Sequence, residues 1–291
     1  MKRQWSNFRG FLVFAGPATF AFASITVVSF VAGIYLTFTN WNGLSSDLSF
    51  VGLDNYAAAL ADTGFWASLW LTVKYTVFVV VLANILAFAL AYALSSRMKF
   101  RNALRAGFFT PNLIGGIVLG LIWYFIFSQG IVSIGTRLHI GSLSVSWLTS
   151  ETLAFWALVI ATVWQVAGFL MVIYLAGLTT LPQEVLEAAS VDGAGQWRKL
   201  WNVVLPLMRP TATICIFLTV ARSFVTYDMN LTLTNGDPYG STALAAMHVY
   251  RKAFVSQQFA TGQAEALVLF VIVAVVSLIQ VSVSRRKEVD L

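Results

Sequence analysis

The sequence predicts an all-α integral membrane protein of six transmembrane helices, with a cytoplasmic helix–turn–helix loop between the fourth and fifth. Three observations predict it. Hydrophobic residues make up 58% of the chain and charged residues 10%, with a mean hydropathy of +0.79. A water-facing domain carries about 25% charged residues, so lipid must solvate most of this chain. Six stretches are apolar over the roughly 20 residues that a hydrocarbon core requires. Finally, thirteen of the 18 Lys and Arg residues fall on one side of the topology those stretches define.

The elements follow in order. The first stretch, 11–38, is too long for a signal peptide and lacks a small-residue cleavage pattern, so it is expected to stay as a span. The first outer loop holds Asp47, Asp54 and Asp62 and no basic residue, with Trp41 before it and Trp66 and Trp70 after it. The second span, 69–94, leads into a basic loop of Arg97, Lys99, Arg101 and Arg105. The third, 106–127, is interrupted by Pro111, Gly115 and Gly116. An outer loop with Arg137 and Trp147 precedes the fourth, 153–178. The loop 179–206 carries Arg198 and Lys199, with Arg209 just beyond it. The fifth span, 207–226, contains Arg222, and the sixth, 265–283, ends in Arg285, Arg286 and Lys287.

Only one orientation keeps these clusters, and Lys2, Arg3 and Arg9, on the cytoplasmic side, which places both termini inside. The outer loops then keep only Arg137, Arg251 and Lys252, while Lys74 and Arg222 lie within spans. Tryptophans at the boundaries suit the headgroup layer. No repeat or soluble domain is evident, so 1–291 is read as a single membrane domain.

Several functions are excluded. A net charge of +6 and a pI near 9.6 would suit nucleic acid, but the basic residues flank apolar runs, so no nucleic-acid partner is expected. The single Cys215 leaves no disulfide framework or thiolate site. His139 and His248 have no ligand-type residues clustered around them, so no metal site is expected. No catalytic pair stands at working spacing, so no catalytic residue is assigned. A phosphate-cradling loop needs Gly-Lys, and none of the six lysines follows a glycine. The chain is therefore expected to bind no nucleotide cofactor.

The loop 179–206 is the most specific segment. Thr180 and Gln183 have capping-box spacing and Pro182 suits a first helical turn. Val185 to Asp192 then reads as helix, Gly193 and Gly195 as a turn, and 196–202 as a second short helix. Glu184, Glu187 and Val191 share a face at spacings of three and four, and Ala188 and Ala189 allow close approach. This is either a knob for a soluble partner or an interfacial helix whose charges face water.

The string Glu187-Ala188-Ala189, three residues, Gly193, nine residues, Val203, one residue, Leu205-Pro206 resembles the EAA loop of binding-protein-dependent ABC importer permeases; Val203 stands where that pattern has Ile. Phe50-Val51-Gly52-Leu53-Asp54-Asn55-Tyr56 and Leu233-Thr234-Asn235-Gly236-Asp237-Pro238 look like the first and last outer loops of its sugar-type branch, the maltose and glycerol-phosphate group. Asp237 and Glu265 depart from it, replacing a usual Gly and a usual small residue.

The resemblance implies that Glu184, Glu187, Ala188, Ala189, Asp192 and Gly193 couple to an ATP-binding subunit dimer, with ATP and magnesium held there. It also implies a second, different permease and an extracytoplasmic solute-binding protein contacting Asp237, Pro238 and Tyr239. The setting it implies is a bacterial or archaeal cytoplasmic (inner) membrane.

Polar residues in spans face a cavity or a partner. Arg222, Thr226, Tyr227, Asp228, Asn230, Asn84 and Gln165 are therefore candidates for a solute path, with interhelical hydrogen bonding as the competing explanation. Hydroxyls and amides beside aromatic rings suit a sugar or oligosaccharide. A glycerol-phosphate ester, drawn by Arg222, is the alternative solute. A gradient-driven carrier is the alternative mechanism, opposed by the lack of an acidic residue in mid-span.

Overall fold

A computed structural model describes residues 14–44, 48–95 and 99–285. Residues 11–13 of the first expected span, Asp47, and the basic residues Lys2, Arg3, Arg9, Arg97, Arg286 and Lys287 lie outside the described residues.

The described chain is helical, its only β feature a bridge between Thr39 and Phe50. Helix α1 covers Gly16–Leu36, α2 covers Asp54–Ala61 and α3 covers Thr63–Ser95. Helix α4 is Arg101–Leu113, α5 is Gly116–Arg137 and α6 is Glu151–Thr179. The loop helix α7 is Gln183–Val191; α8 is Gln196–Leu207 and α9 is Arg209–Phe224. Two short helices, α10 (Asp228–Leu233) and α11 (Ala245–Tyr250), precede α12, Phe259–Arg285.

Five of these, α1, α3, α5, α6 and α12, are long and apolar enough to cross a membrane. The pair α8 and α9, bent by 68° at Met208, makes a sixth candidate. Helix α9 alone has 16 residues, short of a crossing.

The structure corrects four expectations. The third span is α5, displaced toward the C-terminus from 106–127. Ile114 and Gly115 are extended, with ψ of 128° and 146°, so α4 ends before them and α5 starts after them. The cause is the glycine pair after Pro111, which gives up helical hydrogen bonds cheaply. The capping box does not form, because the Thr180 hydroxyl donates back to the Gly177 carbonyl at 2.8 Å. Pro182 is the N-cap of α7 rather than its first helical residue. The second loop helix runs past 202 to Leu207, because Pro206 sits in the first turn of a new helical segment and breaks nothing.

Two compact units emerge from the packing. In Met1–Phe65 with Val249–Leu269, Asn55 donates to the carbonyls of Thr37 and Thr39 at 2.9 and 2.8 Å and accepts from Thr261 at 3.0 Å. Trp41 meets the ring of Phe259 edge-on at 4.8 Å. Lys252 Nζ lies 2.6 Å from Asp62 Oδ2.

The second unit, Trp66–His248 with Phe270–Leu291, holds the main core around α6. The face of α3 turned inward repeats every four residues, Tyr75, Val79, Ala83, Ala87 and Ala91, all fully buried. Its alanines let backbones approach closely, the usual device where lipid gives helices no hydrophobic reason to associate. Tyr75 donates to Thr162 of α6 at 2.7 Å. Helix α4 lies on α6 at Gly168, α9 also packs on α6, and α10 packs on α5.

Candidate functional site

Two interruptions of helical backbone in the second unit create a polar cavity of about 290 Å³. One is the extended Ile114–Gly115 link; Gln165 Nε2, from the middle of α6, donates to the carbonyl of Ile114 at 3.3 Å. The other is the end of α9, where Val225 leaves helical geometry and α10 restarts at Asp228. Thr226 folds back, its hydroxyl donating to the Arg222 carbonyl at 3.1 Å. Irregular backbone at membrane depth is tolerated where it lines a cavity; Val225 to Tyr227 do so directly, and Asn112 and Gly116 do so on either side of the Ile114–Gly115 link.

Arg222, in the last turn of α9, sits well against the negative helix end. Its guanidinium donates to Asn112 Oδ1 at 3.0 Å and stacks 5.0 Å over the Phe169 ring. Asp228 opens α10 and shares the cavity wall with Gly116. A Cβ at position 116 would stand 2.8 Å from that of Asp228, so only glycine lets α5 begin this close. The lining thus holds one cation, one carboxylate, two carboxamides and the hydroxyls of Thr162, Ser223, Thr226 and Tyr227.

Five of the seven residues expected in a solute path meet here: Gln165, Arg222, Thr226, Tyr227 and Asp228. Two do not. Asn230 is fully buried, donates to the Thr242 carbonyl and the Thr234 hydroxyl at 2.8 and 2.9 Å, and accepts from Leu244 N at 3.3 Å. It fastens the following turn and is not part of this cavity's lining. Asn84 borders a separate cavity of about 670 Å³, mainly apolar and lined by Phe88, Tyr92, Trp197 and Trp201. There it accepts from the Tyr174 hydroxyl at 2.8 Å and donates to Val80 O at 2.8 Å and Thr219 Oγ1 at 3.4 Å. The bonds to Tyr174 and Thr219 join α3 to α6 and α9.

Sequence reasoning missed Asn112, Gly116 and Thr162. Asn112 carried a usable signal, a carboxamide immediately after a mid-helix proline and before a glycine pair.

The turn after α10 carries Asp237, Pro238 and Tyr239. Asn235, Gly236, Tyr239 and Gly240 all have positive φ, and the Asp237–Pro238 bond is cis. The Thr242 hydroxyl donates to the Asp237 carbonyl at 2.8 Å, which leaves Tyr239 projecting outward, 93% exposed.

The loop helices present the other candidate surface. Glu184, Glu187 and Ala188 are exposed, Ala189 is half-buried, and Asp192 with Gly193 (φ +74°) forms the exposed turn that closes α7. Lys199 ties α8 to α7 through the Ser190 hydroxyl. Beside the acidic face, Val191, Trp197 and Trp201 are 88%, 75% and 64% exposed. Exposed tryptophans at i and i+4 on one short helix have the composition of an interface anchor. The two tryptophans were not singled out from sequence.

Residues 83–289 match the family model described as binding-protein-dependent transport system inner membrane component. The chain is 39% identical over 279 residues to the probable starch degradation products transport system permease protein AmyD of Thermoanaerobacterium thermosulfurigenes, covering 96% of this chain and 95% of that one. It is 32% identical over 257 residues to the multiple sugar-binding transport system permease protein MsmF of Streptococcus mutans, covering 88% and 89%. Among solved structures it superposes on a chain of a bacterial ABC transporter involved in the import of the acidic polysaccharide alginate. That match has a TM-score of 0.81 and 18% identity, and covers 98% of this chain and 99% of that one.

Proposed function

This chain belongs to the family of binding-protein-dependent transport system inner membrane components and is a permease subunit of the sugar-importer type, and on that premise we propose that it forms half of the path for a neutral sugar or oligosaccharide. The observation that carries the solute class is the cavity between the two helix breaks. Its one guanidinium is already engaged by Asn112 and Phe169, and Asp228 stands on the same wall. A site with one charge of each sign and a surplus of amides and hydroxyls suits a polyhydroxylated neutral solute better than a glycerol-phosphate ester. The relatives named for starch products and multiple sugars support this reading.

The rest of the machine follows from the same premise. The surface formed by Glu184, Glu187, Val191, Trp197 and Trp201 docks in an ATP-hydrolysing subunit, one of a pair that binds ATP and magnesium, so this chain carries no catalytic group. A second, different permease closes the other half of the path. A solute-binding protein contacts the turn at Asp237, Pro238 and Tyr239. The alginate importer has been solved with an alginate-pentasaccharide-bound periplasmic protein, which supports that kind of assembly. The chain sits in a bacterial or archaeal cytoplasmic membrane with both termini inside, as the positive-inside rule requires.

The test is purification of the tagged chain from its native membrane, with uptake and ATPase rates measured for Glu187→Arg and Arg222→Gln. Glu187→Arg is expected to shed or uncouple a co-purifying ATPase. Arg222→Gln is expected to keep that ATPase and lose sugar uptake. A chain that purifies alone and is unaffected by either substitution refutes the proposal.

A further inference from the structure

Lys74 is a charged residue inside a span, and the path does not use it. Helix α3 is 33 residues long, about 50 Å against a hydrocarbon core of about 30 Å. Its basic end is fixed by Arg105, whose guanidinium donates to the Leu94 carbonyl at 2.9 Å. Counting about 20 residues back from Leu94 reaches Tyr75, which puts Lys74 at the far boundary of the hydrocarbon. Trp70 and Trp66 follow one and two turns further out on the same exposed face, where indoles favour the headgroup layer. The Lys74 ammonium lies 5.7 Å from the Trp70 ring centroid.

Beside this face is a pocket of about 270 Å³, walled by Ser68, Trp70, Leu71 and Lys74 on the helix and by the turn from Gly240 to Ala243. The wall is anchored, because Ala245 N donates to the buried Thr72 hydroxyl at 2.8 Å. No acidic residue lines it. Ser241 Oγ is buried at its edge and meets no hydrogen-bond partner among the described residues.

We infer that Lys74, Trp70 and Ser241 hold the phosphodiester headgroup of a phospholipid in the leaflet away from the basic loops. A cation at headgroup depth, an indole platform and an unspent hydroxyl are what a phosphate and its glycerol require. The pocket has room for a headgroup and not for a whole lipid. The choice of leaflet rests on the orientation proposed above, but the binding test does not.

The experiment is native mass spectrometry of the full chain purified with its co-expressed partners, comparing retained phosphatidylglycerol in wild type, Lys74→Gln, Lys74→Arg and Ser241→Ala. Lys74→Gln is expected to retain about fivefold less, the contribution of one lysine at a charged lipid surface, with Lys74→Arg restoring most of it. Ser241→Ala is expected to fall between them, and it reports on the site even where Lys74→Gln assembles poorly. Excess inorganic phosphate should leave the lipid in place; displacement by phosphate alone would mark a site for free anion. Equal retention in all variants overturns the inference, and so does specific loss of the second permease from Lys74→Gln, which would make Lys74 a subunit contact.

Discussion

Gly168 offers the sharpest test of how the cavity is held. It lies where α4 crosses α6, and a Cβ there would run into the Phe108 carbonyl oxygen, with the carbonyl carbon 2.5 Å and the Phe109 Cα 3.1 Å away. Ordinary contact begins at 3.4 Å, so Gly168→Ala must push the α4 backbone away by well over 1 Å to clear the Phe108 carbonyl oxygen. Overpacking costs about 1–3 kcal/mol, and a clash with backbone belongs in the upper half of that range. Replacing glycine in a helix returns about 0.8–1 kcal/mol, for a net loss of about 1–2 kcal/mol. Asn112 lies about one helical turn beyond Phe108, so the same displacement loosens its bond to Arg222. The expected result is a lower thermal midpoint in detergent together with a raised KM for sugar uptake. Gly107→Ala is the control, because nothing lies within 4 Å of a Cβ at that position. It should leave uptake unchanged and stability equal or higher by up to about 1 kcal/mol. Wild-type stability and uptake in Gly168→Ala would refute the packing argument.

Three further outcomes are expected. Asn230→Ala strands the Thr242 carbonyl and Leu244 amide, so limited proteolysis should cut the exposed turn near Tyr239 much faster, at a cost of about 2–3 kcal/mol for unmade buried hydrogen bonds; equal cleavage rates would deny its structural role. Asn84→Leu should cost about 0.6–1.7 kcal/mol, the range of interhelical hydrogen bonds in lipid, without changing the KM for uptake; a raised KM would return Asn84 to the solute path. The Lys252 ammonium, hydrogen-bonded to Asp62, holds that carboxyl at about 2, below its ordinary 3.8. Because the folded value is the lower one, the bridge stabilises fully above about pH 4 and is lost as pH falls toward 2. The stability gap between wild type and Asp62→Asn should close over that window, and a gap independent of pH would remove the carboxylate from the account.

The membrane class, the loop helices and most of the cavity were legible because each left a local signature. Composition marked the class, spacing marked Glu187 to Pro206, and polar residues in apolar runs marked Gln165, Arg222, Thr226, Tyr227 and Asp228. Helix breaks were legible only as composition. Pro111, Gly115 and Gly116 announced an interruption, but which side of it crossed the membrane depends on α4 folding back against α6 at Gly168, a tertiary fact. Asn230 and Asn84 show the same limit from the other side. A carboxamide in a span looks alike whether it faces a solute or a neighbouring helix, and only its partners decide. The capping box failed because Thr180 found the Gly177 carbonyl within its own preceding turn, a competitor invisible to a spacing rule.

The bend at Met208 makes the loop a crank. Helix α8, 12 residues from Gln196 to Leu207, is an arm of about 18 Å, joined at 68° to α9, whose last turn holds Arg222. A rotation of about 10° about that joint would move Gln196 by about 3 Å, while a rigid α9, about 24 Å long, would carry a similar displacement to its far end. A push delivered at Trp197 would thereby reach the guanidinium on the cavity wall through a single rigid elbow.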